Sequence, residues 1–397
     1  MVKVLDRVGR IAVTQPDWRK AVTVGYEFKT AIITSYDGSE MRDALRSTAR
    51  VQLGFRTILT AAGIRRHHAD LAEVQHVPFV LPSPWRRTYL AVDVLPSTGA
   101  ISITTPPFWC APNSHLVLDD GSKQEAVEID TVVGSAVTLK NPTVGAFAAG
   151  STVRHAYLAR GEGKIDFRAE TATLWTANLD YDVAPGSDAQ TYRAAVPTMF
   201  EGAEVFLTRP NWRERPRISL SEVRELLDSG RGVVDTESHT ARMMQQERLE
   251  YLGSDIDASE ALIAFFLRHK GSRTAFWMPT WQQDLEVANT PVSASEFDVP
   301  GIDAFYGYNG SDVFNVVAAR WPDGSYQLNR VTGVALNGSD TTFTFRDDWV
   351  NGVTPDTRVS WCPLWRFSTD KLEVNWRTNT LAEMSFAVQT LKNEEPV

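Results

Sequence analysis

Hydrophobic and polar positions alternate over short runs along most of the chain. Val22, Val24, Tyr26 and Phe28 fall on one face of a period of two, and Ala31-Ile-Ile-Thr-Ser follows. That period places successive side chains on opposite faces, so such runs predict strands. One stretch has a helical period instead. Ala258, Leu262, Phe265 and Phe266 form an apolar stripe, Asp257-Ala-Ser-Glu260 before it has the form of a capping box, and Gly271 supplies a stop. A more polar helix is predicted over Ala62 to Gln75, with Ile64, Leu71 and Val74 as its large apolar residues. Short strands punctuated by Asp-Gly or Asn-Gly turns fill roughly 90–156 and 288–362. Asp119-Asp-Gly-Ser122, Ala126-Val-Glu-Ile129 and Ser135-Ala-Val-Thr-Leu139 are examples. Each region predicts a small inserted β-module.

The same order of elements occurs twice. Thr14-Gln-Pro-Asp-Trp-Arg19 is answered by Thr208-Arg-Pro-Asn-Trp-Arg213, 194 residues later. Phe79-Val-Leu-Pro-Ser-Pro-Trp85 is answered by Phe276-Trp-Met-Pro-Thr-Trp281, at 197 for the Phe and 196 for the Trp. Asp120-Gly121 is answered by Asp323-Gly324 at 203, and Lys164-Ile-Asp-Phe by Lys371-Leu-Glu-Val at 207. Thr171-Ala-Thr-Leu174 and Thr378-Asn-Thr-Leu381 also differ by 207. Five matches in one order, with offsets that drift upward, predict an internal duplication spanning roughly 8–183 and 200–392. The polar segment Ala184-Pro-Gly-Ser-Asp-Ala-Gln-Thr191 lies between the copies and predicts a linker over 184–199. The expected architecture is mainly β: two tandem β-barrels, 1–183 and 200–397, each with one helix and one inserted β-module.

Composition narrows the chemistry. With 397 residues the chain can bury a large core, and two Cys exclude a disulfide framework and any four-cysteine metal or iron–sulfur site within it. The longest apolar run, Ala261 to Leu267, is far short of the ~20 residues of a membrane helix, so no membrane insertion is expected. Met1-Val-Lys-Val-Leu-Asp6-Arg7 is charged too early to hold a signal-peptide core. A net charge of −9 argues against stable nucleic-acid binding, which needs clustered Lys and Arg.

No enzymatic or cofactor motif survives inspection. Gly161-Glu-Gly-Lys164 is followed by Ile165 where a phosphate loop needs Ser or Thr. His67, His68 and Asp70 sit on a predicted helix whose neighbouring residues point ~100° apart, which does not suit one metal ion. Asp119-Asp120 and Asp347-Asp348 are adjacent carboxylates in predicted turns, where Asp caps its own backbone. Cys110 and Cys362 lack a nucleophile motif. The chain is therefore expected to be no enzyme and to hold no cofactor or metal. Twelve Trp keep one alternative open, a carbohydrate-binding or glycan-cleaving surface with aromatic sugar platforms. The recurring Trp18-Arg19 and Trp212-Arg213 are candidates for subunit contacts, where Trp and Arg are enriched, or for barrel plugs. Trp85 and Trp281 are candidates for the core or a domain junction.

The second half runs Ser229-Gly-Arg-Gly, Glu237, Glu247-Arg-Leu-Glu-Tyr251, Phe265-Phe266-Leu-Arg-His-Lys-Gly271 and Phe276-Trp-Met-Pro-Thr-Trp281. This order over about 206–285 resembles the barrel domain of distal tail and tail-hub (baseplate hub) proteins of long-tailed bacteriophages and gene transfer agents. The first half matches more loosely, through Ser35-Tyr-Asp-Gly38, Glu40, Arg42, Arg50, Phe55 and Phe79–Trp85, and lacks the Phe-Phe pair. The resemblance implies a structural protein of the virion tail tip, assembled in the bacterial cytoplasm and without catalysis. Its expected partners are itself, the tail tube protein and central hub or fibre proteins. Tubes of this family are six-fold and the spike below is three-fold. Two barrels per chain therefore imply a homotrimer with pseudo-six-fold symmetry, with a homohexamer as second choice.

Overall fold

The computed structural model describes residues 3–5, 11, 15–35, 39–65, 78–161, 165–185, 197–212, 217–221, 224–227, 230, 235–238, 244–288, 294–311 and 313–392. The chain is mainly β, with three small helices among these residues. The first half begins with β1 (Lys3–Leu5), β2 (Val22–Glu27), the hairpin β3 (Thr30–Thr34) and β4 (Glu40–Ala44), and β5 (Arg50–Thr60). A helical turn, α1 (61–65), and β6 (Phe79–Tyr89) follow. Next come β7 (Ala100–Ser102), β8 (His115–Asp119), β9 (Lys123–Val133), β10 (Ala136–Leu139), β11 (Thr152–Gly161), β12 (Phe167–Ala169) and β13 (Leu174–Val183). The second half opens with β14 (Met199–Phe200), β15 (Ala203–Val205), β16 (Arg217–Ser221) and the hairpin β17 (Arg224–Leu227) and β18 (Asp235–Ser238). It continues with β19 (Met244–Gly253), α2 (Ile256–Arg268), β20 (Phe276–Trp277), β21 (Glu296–Pro300) and α3 (Asp303–Tyr308). It ends with β22 (Val316–Arg320), β23 (Tyr326–Asn337), β24 (Asp340–Phe345), β25 (Arg358–Trp361), β26 (Leu364–Phe367), β27 (Lys371–Trp376) and β28 (Ala382–Thr390).

The two halves pair their strands in the same register. Phe55 faces Leu179 across β5–β13, and Leu249 faces Phe386 across β19–β28, which are shifts of 194 and 207 residues. Those shifts also carry Val24 facing Leu53 onto Ile218 facing Glu247, and Phe167 facing Ala177 onto Val374 facing Met384. Phe79 opposite Ala159 corresponds to Phe276 opposite Trp365. A one-residue slip would turn every side chain to the other face, so one register kept across several pairs is a strong coincidence of structure. Turns agree as well. Thr171 Oγ1 accepts from the Thr173 and Leu174 amides, and Thr378 Oγ1 from the Thr380 and Leu381 amides. The Asp120 and Asp323 carboxylates each accept from both the amide and the hydroxyl of the serine two residues on.

The two halves share one sheet. β2 pairs antiparallel with β27 along all six residues, from Val22 opposite Trp376 to Glu27 opposite Lys371. The path β11–β13–β5–β2–β27–β28–β19–β16 is therefore unbroken. It curls strongly and stays open. Among the described residues no strand joins its two ends. Its apolar face and α2 enclose the main core, which includes Val24, Tyr26, Leu53, Phe55, Leu179, Phe265, Phe266, Trp365, Val374 and Phe386.

The inserted segments keep cores of their own, one around Trp109, Leu116, Ile129 and Phe147 and one around Phe297, Val317, Phe343 and Trp361. Their strand orders match, β11-β8-β9-β10-β7 and β25-β22-β23-β24-β21, with antiparallel neighbours throughout.

The stronger helix departs from its expected cap. α2 starts at Ile256, and the Asp255 carboxylate caps it by accepting from the Ala258 amide at 2.7 Å. Asp255 and Asp257 are both good caps by residue type; Asp255 is the one that caps, and Glu260 pairs with Arg86 rather than completing a capping box. At the far end the C-cap is His269, and Lys270 (φ 52°) and Gly271 (φ 65°) turn the chain left-handed. Of the weaker helix predicted over 62–75, the described part is helical to residue 65. The remainder, with His67, His68 and Asp70, lies outside the described residues.

Candidate functional site

Among the described residues, the junction between the halves holds a buried, multiply bonded polar arrangement. Arg86, at the end of β6, is fully buried, and its guanidinium meets Glu260 on α2 in a bidentate pair at 2.7 and 2.9 Å. Glu260 is 3% exposed and also accepts from Trp85 Nε1 at 3.3 Å. Trp85 stacks on Trp376 of β27 with ring centroids 4.8 Å apart, so first-half and second-half side chains close one contact. Two planar donors aimed at one carboxylate fix the angle at which α2 meets β6. His155 lies beside this pair, fully buried. Burial first, and the nearby Arg86 charge second, hold its pKa well below the ordinary value, so it is neutral.

A second clasp also joins the two halves. Arg366 on β26 is 5% exposed and binds Glu40 of the β3–β4 hairpin at 2.6 and 2.7 Å. The Asp370 carboxylate accepts from the Thr30 amide and hydroxyl, and its carbonyl from the Phe28 amide at 2.9 Å. The hairpin of the first half thus lies on the second half.

The junction is heterologous, because it joins different surfaces of two similar units. By the registers above, β27 corresponds to β12 and β2 to β16. The contact uses the β2 edge of one half and the β27 edge of the other, and leaves β16 and β12 outside it.

The Trp-Arg motifs occupy corresponding places. The Asp17 amide donates to the Arg56 carbonyl at 2.7 Å, and the Asn211 amide to the Glu250 carbonyl at 2.7 Å, again 194 apart. Trp18 is half-buried against the main core and Arg19 is exposed. Trp212 is 46% exposed, and Arg213 lies outside the described residues. Trp85 is in the junction itself. Trp281 is half-buried, with φ at 62°, and meets Tyr326 of the second inserted segment edge-on. No local pattern in the sequence marks Arg86 or Arg366, and nothing there pairs them with Glu260 or Glu40. Partners 174 and 326 residues apart leave no local signature, and Glu260 was read as a capping residue.

Among the described residues, no three His, Cys, Asp or Glu side chains come together as a metal cage. Burial pushes the Cys110 thiol up to about 12 and Cys362 well above its usual value, the reverse of an activated nucleophile. Asp119 and Asp120 cap the turn that follows β8, as expected for Asp in a turn. Of the twelve Trp, eight are buried and only Trp212 is exposed. A shallow cleft of about 140 Å³ lies over the β5–β2–β27 strands, lined by Thr23, Gln52, Asp180, Lys371 and Glu373. Gly161 closes β11, and the rest of Gly161–Lys164 lies outside the described residues, as does most of the expected linker. No helix among the described residues is long and apolar enough to cross a membrane. No protein-family model matches this chain, and no curated protein matches it.

Proposed function

We propose that this chain is a structural protein of a long-tailed phage tail tip, a ring-forming distal tail or hub adaptor. In this reading its two halves are duplicated tail-hub-like barrels, and it joins the six-fold tail tube to a three-fold central hub or fibre assembly. The observation that carries the reading is the heterologous β2–β27 junction between two units of equal strand register. A contact of this kind, repeated with a turn of about 60° per step, closes a ring of six units from three chains. The sequence resemblance to tail-hub barrels supplies the setting, the virion tail tip. The acidic balance suits a wall past which DNA moves, because like charge keeps phosphate from sticking. The buried Trp residues favour this reading over sugar binding.

The test is to label the protein on whole particles. Antibody-bound gold against this chain should decorate the tail at the end distal to the head, seen by negative-stain electron microscopy. Decoration of the head, or of no particle component, would overturn the reading.

A further inference from the structure

The two inserted sheets carry opposite charge at corresponding places. In the first, Thr152, Asp119 and Gln124 stand side by side across β11, β8 and β9. The Asp119 carboxylate is satisfied there, accepting from the Gln124 side chain and the Gly121 amide, both at 2.9 Å. In the second, Arg358, Arg320 and Tyr326 stand side by side across β25, β22 and β23. Like charges directly opposite each other destabilise a sheet. Their neighbours Val359 and Ala319 belong to the core of the inserted segment, so both arginines lie on the other face. Among the described residues neither guanidinium has a carboxylate or other acceptor, and Arg320 Nε is buried without one. Aromatic rings wall the pair. The Arg320 guanidinium stands 5.5 Å from the Tyr326 ring centroid, and Trp281 meets that ring edge-on. Trp281 holds a left-handed backbone, with φ at 62°, which a bulky residue adopts only at a cost. Its Nε1 is another buried donor with no acceptor. A self-repelling pair beside a strained residue is a cost that folds carry at binding sites.

We propose that Arg320, Arg358, Tyr326 and Trp281 form a docking site for a carboxylate side chain carried by an acidic segment of a partner protein. Charge complementarity sets the class of partner, since the unsatisfied groups here are all donors. One carboxylate between two guanidinium forks removes their repulsion and gives Arg320 Nε its missing acceptor. The rings select among anions. The methylenes of a glutamate or aspartate can lie against Tyr326 and Trp281, and an inorganic phosphate has no such apolar part. Asp119 needs no outside partner, because its own sheet and turn supply the donors. The site goes beyond the ring reading and holds whether or not the ring closes, because a single chain carries all four residues.

Titration calorimetry of the full chain with an acetylated, amidated hexaglutamate peptide at low salt tests the site. The peptide should bind, and Arg320→Gln combined with Arg358→Gln should weaken it at least about ten-fold. Arg248→Gln with Arg377→Gln removes the same charge from two exposed arginines elsewhere and should leave binding unchanged. No binding to the parent, or an equal loss in both double variants, would overturn the site. Displacement of the peptide by inorganic phosphate at a lower concentration than by glutarate would mark a phosphate site and overturn the assignment. Arg358→Glu supplies a carboxylate opposite Arg320 from within the sheet. It should raise the melting temperature and abolish peptide binding. A fall in melting temperature would show that Arg358 already has a structural partner, against the proposal.

Discussion

Truncating Arg86 to alanine should lower stability by about 3–5 kcal/mol, the usual cost of stranding one partner of a buried ion pair. The magnitude follows from where Glu260 sits. It is 3% exposed, accepts two bonds from the guanidinium and one from Trp85, and belongs to the helix that fills the core between the halves. Without Arg86 that carboxylate has neither water nor a counter-charge. Replacing both partners by apolar residues, Arg86→Met with Glu260→Leu, should recover most of the loss, because the desolvation cost disappears along with the attraction. Denaturant midpoints of the two variants and the parent measure this. A single variant within about 1 kcal/mol of the parent would show that the pair is not sealed from solvent. Because the pair sets the meeting of α2 with β6, the single variant should also assemble poorly, whereas the apolar double variant should assemble.

Glu247 should make stability fall as pH rises. It stands on β19 where β5 has the fully buried Leu53, and burial, with Asp284 adding like charge, pushes its carboxyl up to about 7 from an ordinary 4.5. Gln245 donates to it and opposes the shift without cancelling it. Between those two pKa values the folded chain holds a proton that the unfolded chain has released. The favourable contribution is therefore complete below about pH 4.5 and is lost as pH climbs through 7. A difference of that size is worth about 3 kcal/mol. Glu247→Gln should accordingly match the parent at pH 4 and exceed it by about 3 kcal/mol at pH 8. Burial lowers the pKa of His115, His155 and His269, which acts in the opposite direction in both proteins, so the comparison at each pH removes it. A gap of the same size at both pH values would contradict the assignment.

The equal strand registers of the two halves were legible in the sequence because register leaves a residue-level trace. Phe79 and Phe276, or Thr171 and Thr378, sit at fixed places in paired strands and turns, and an insertion between them changes the offset without changing the pairing. The alternation in β2 and the apolar stripe of α2 were legible for the same reason: each is a local pattern that burial enforces. The joint between the halves was not. An edge strand reads the same whether its free side meets water, another half or another copy, so Val24 and Ile218 look alike in sequence and differ only in the fold. The clasps are likewise invisible, because the partners of Arg86 and Arg366 lie 174 and 326 residues away in sequence. Glu247 was hidden by its surroundings. Gln245, Gln246, Glu247 and Arg248 show no polar alternation, yet only Gln245 and Glu247 face inward.

Whether six similar units close into a ring of three chains is best decided by counting. Native mass measurement of the purified full chain at micromolar concentration, with class averages of the same sample in the electron microscope, reads copy number and rotational symmetry together. The account predicts a three-chain particle with a central opening and six similar lobes in projection. A stable monomer, a closed two-chain particle, or a ring of six chains with twelve lobes would contradict it.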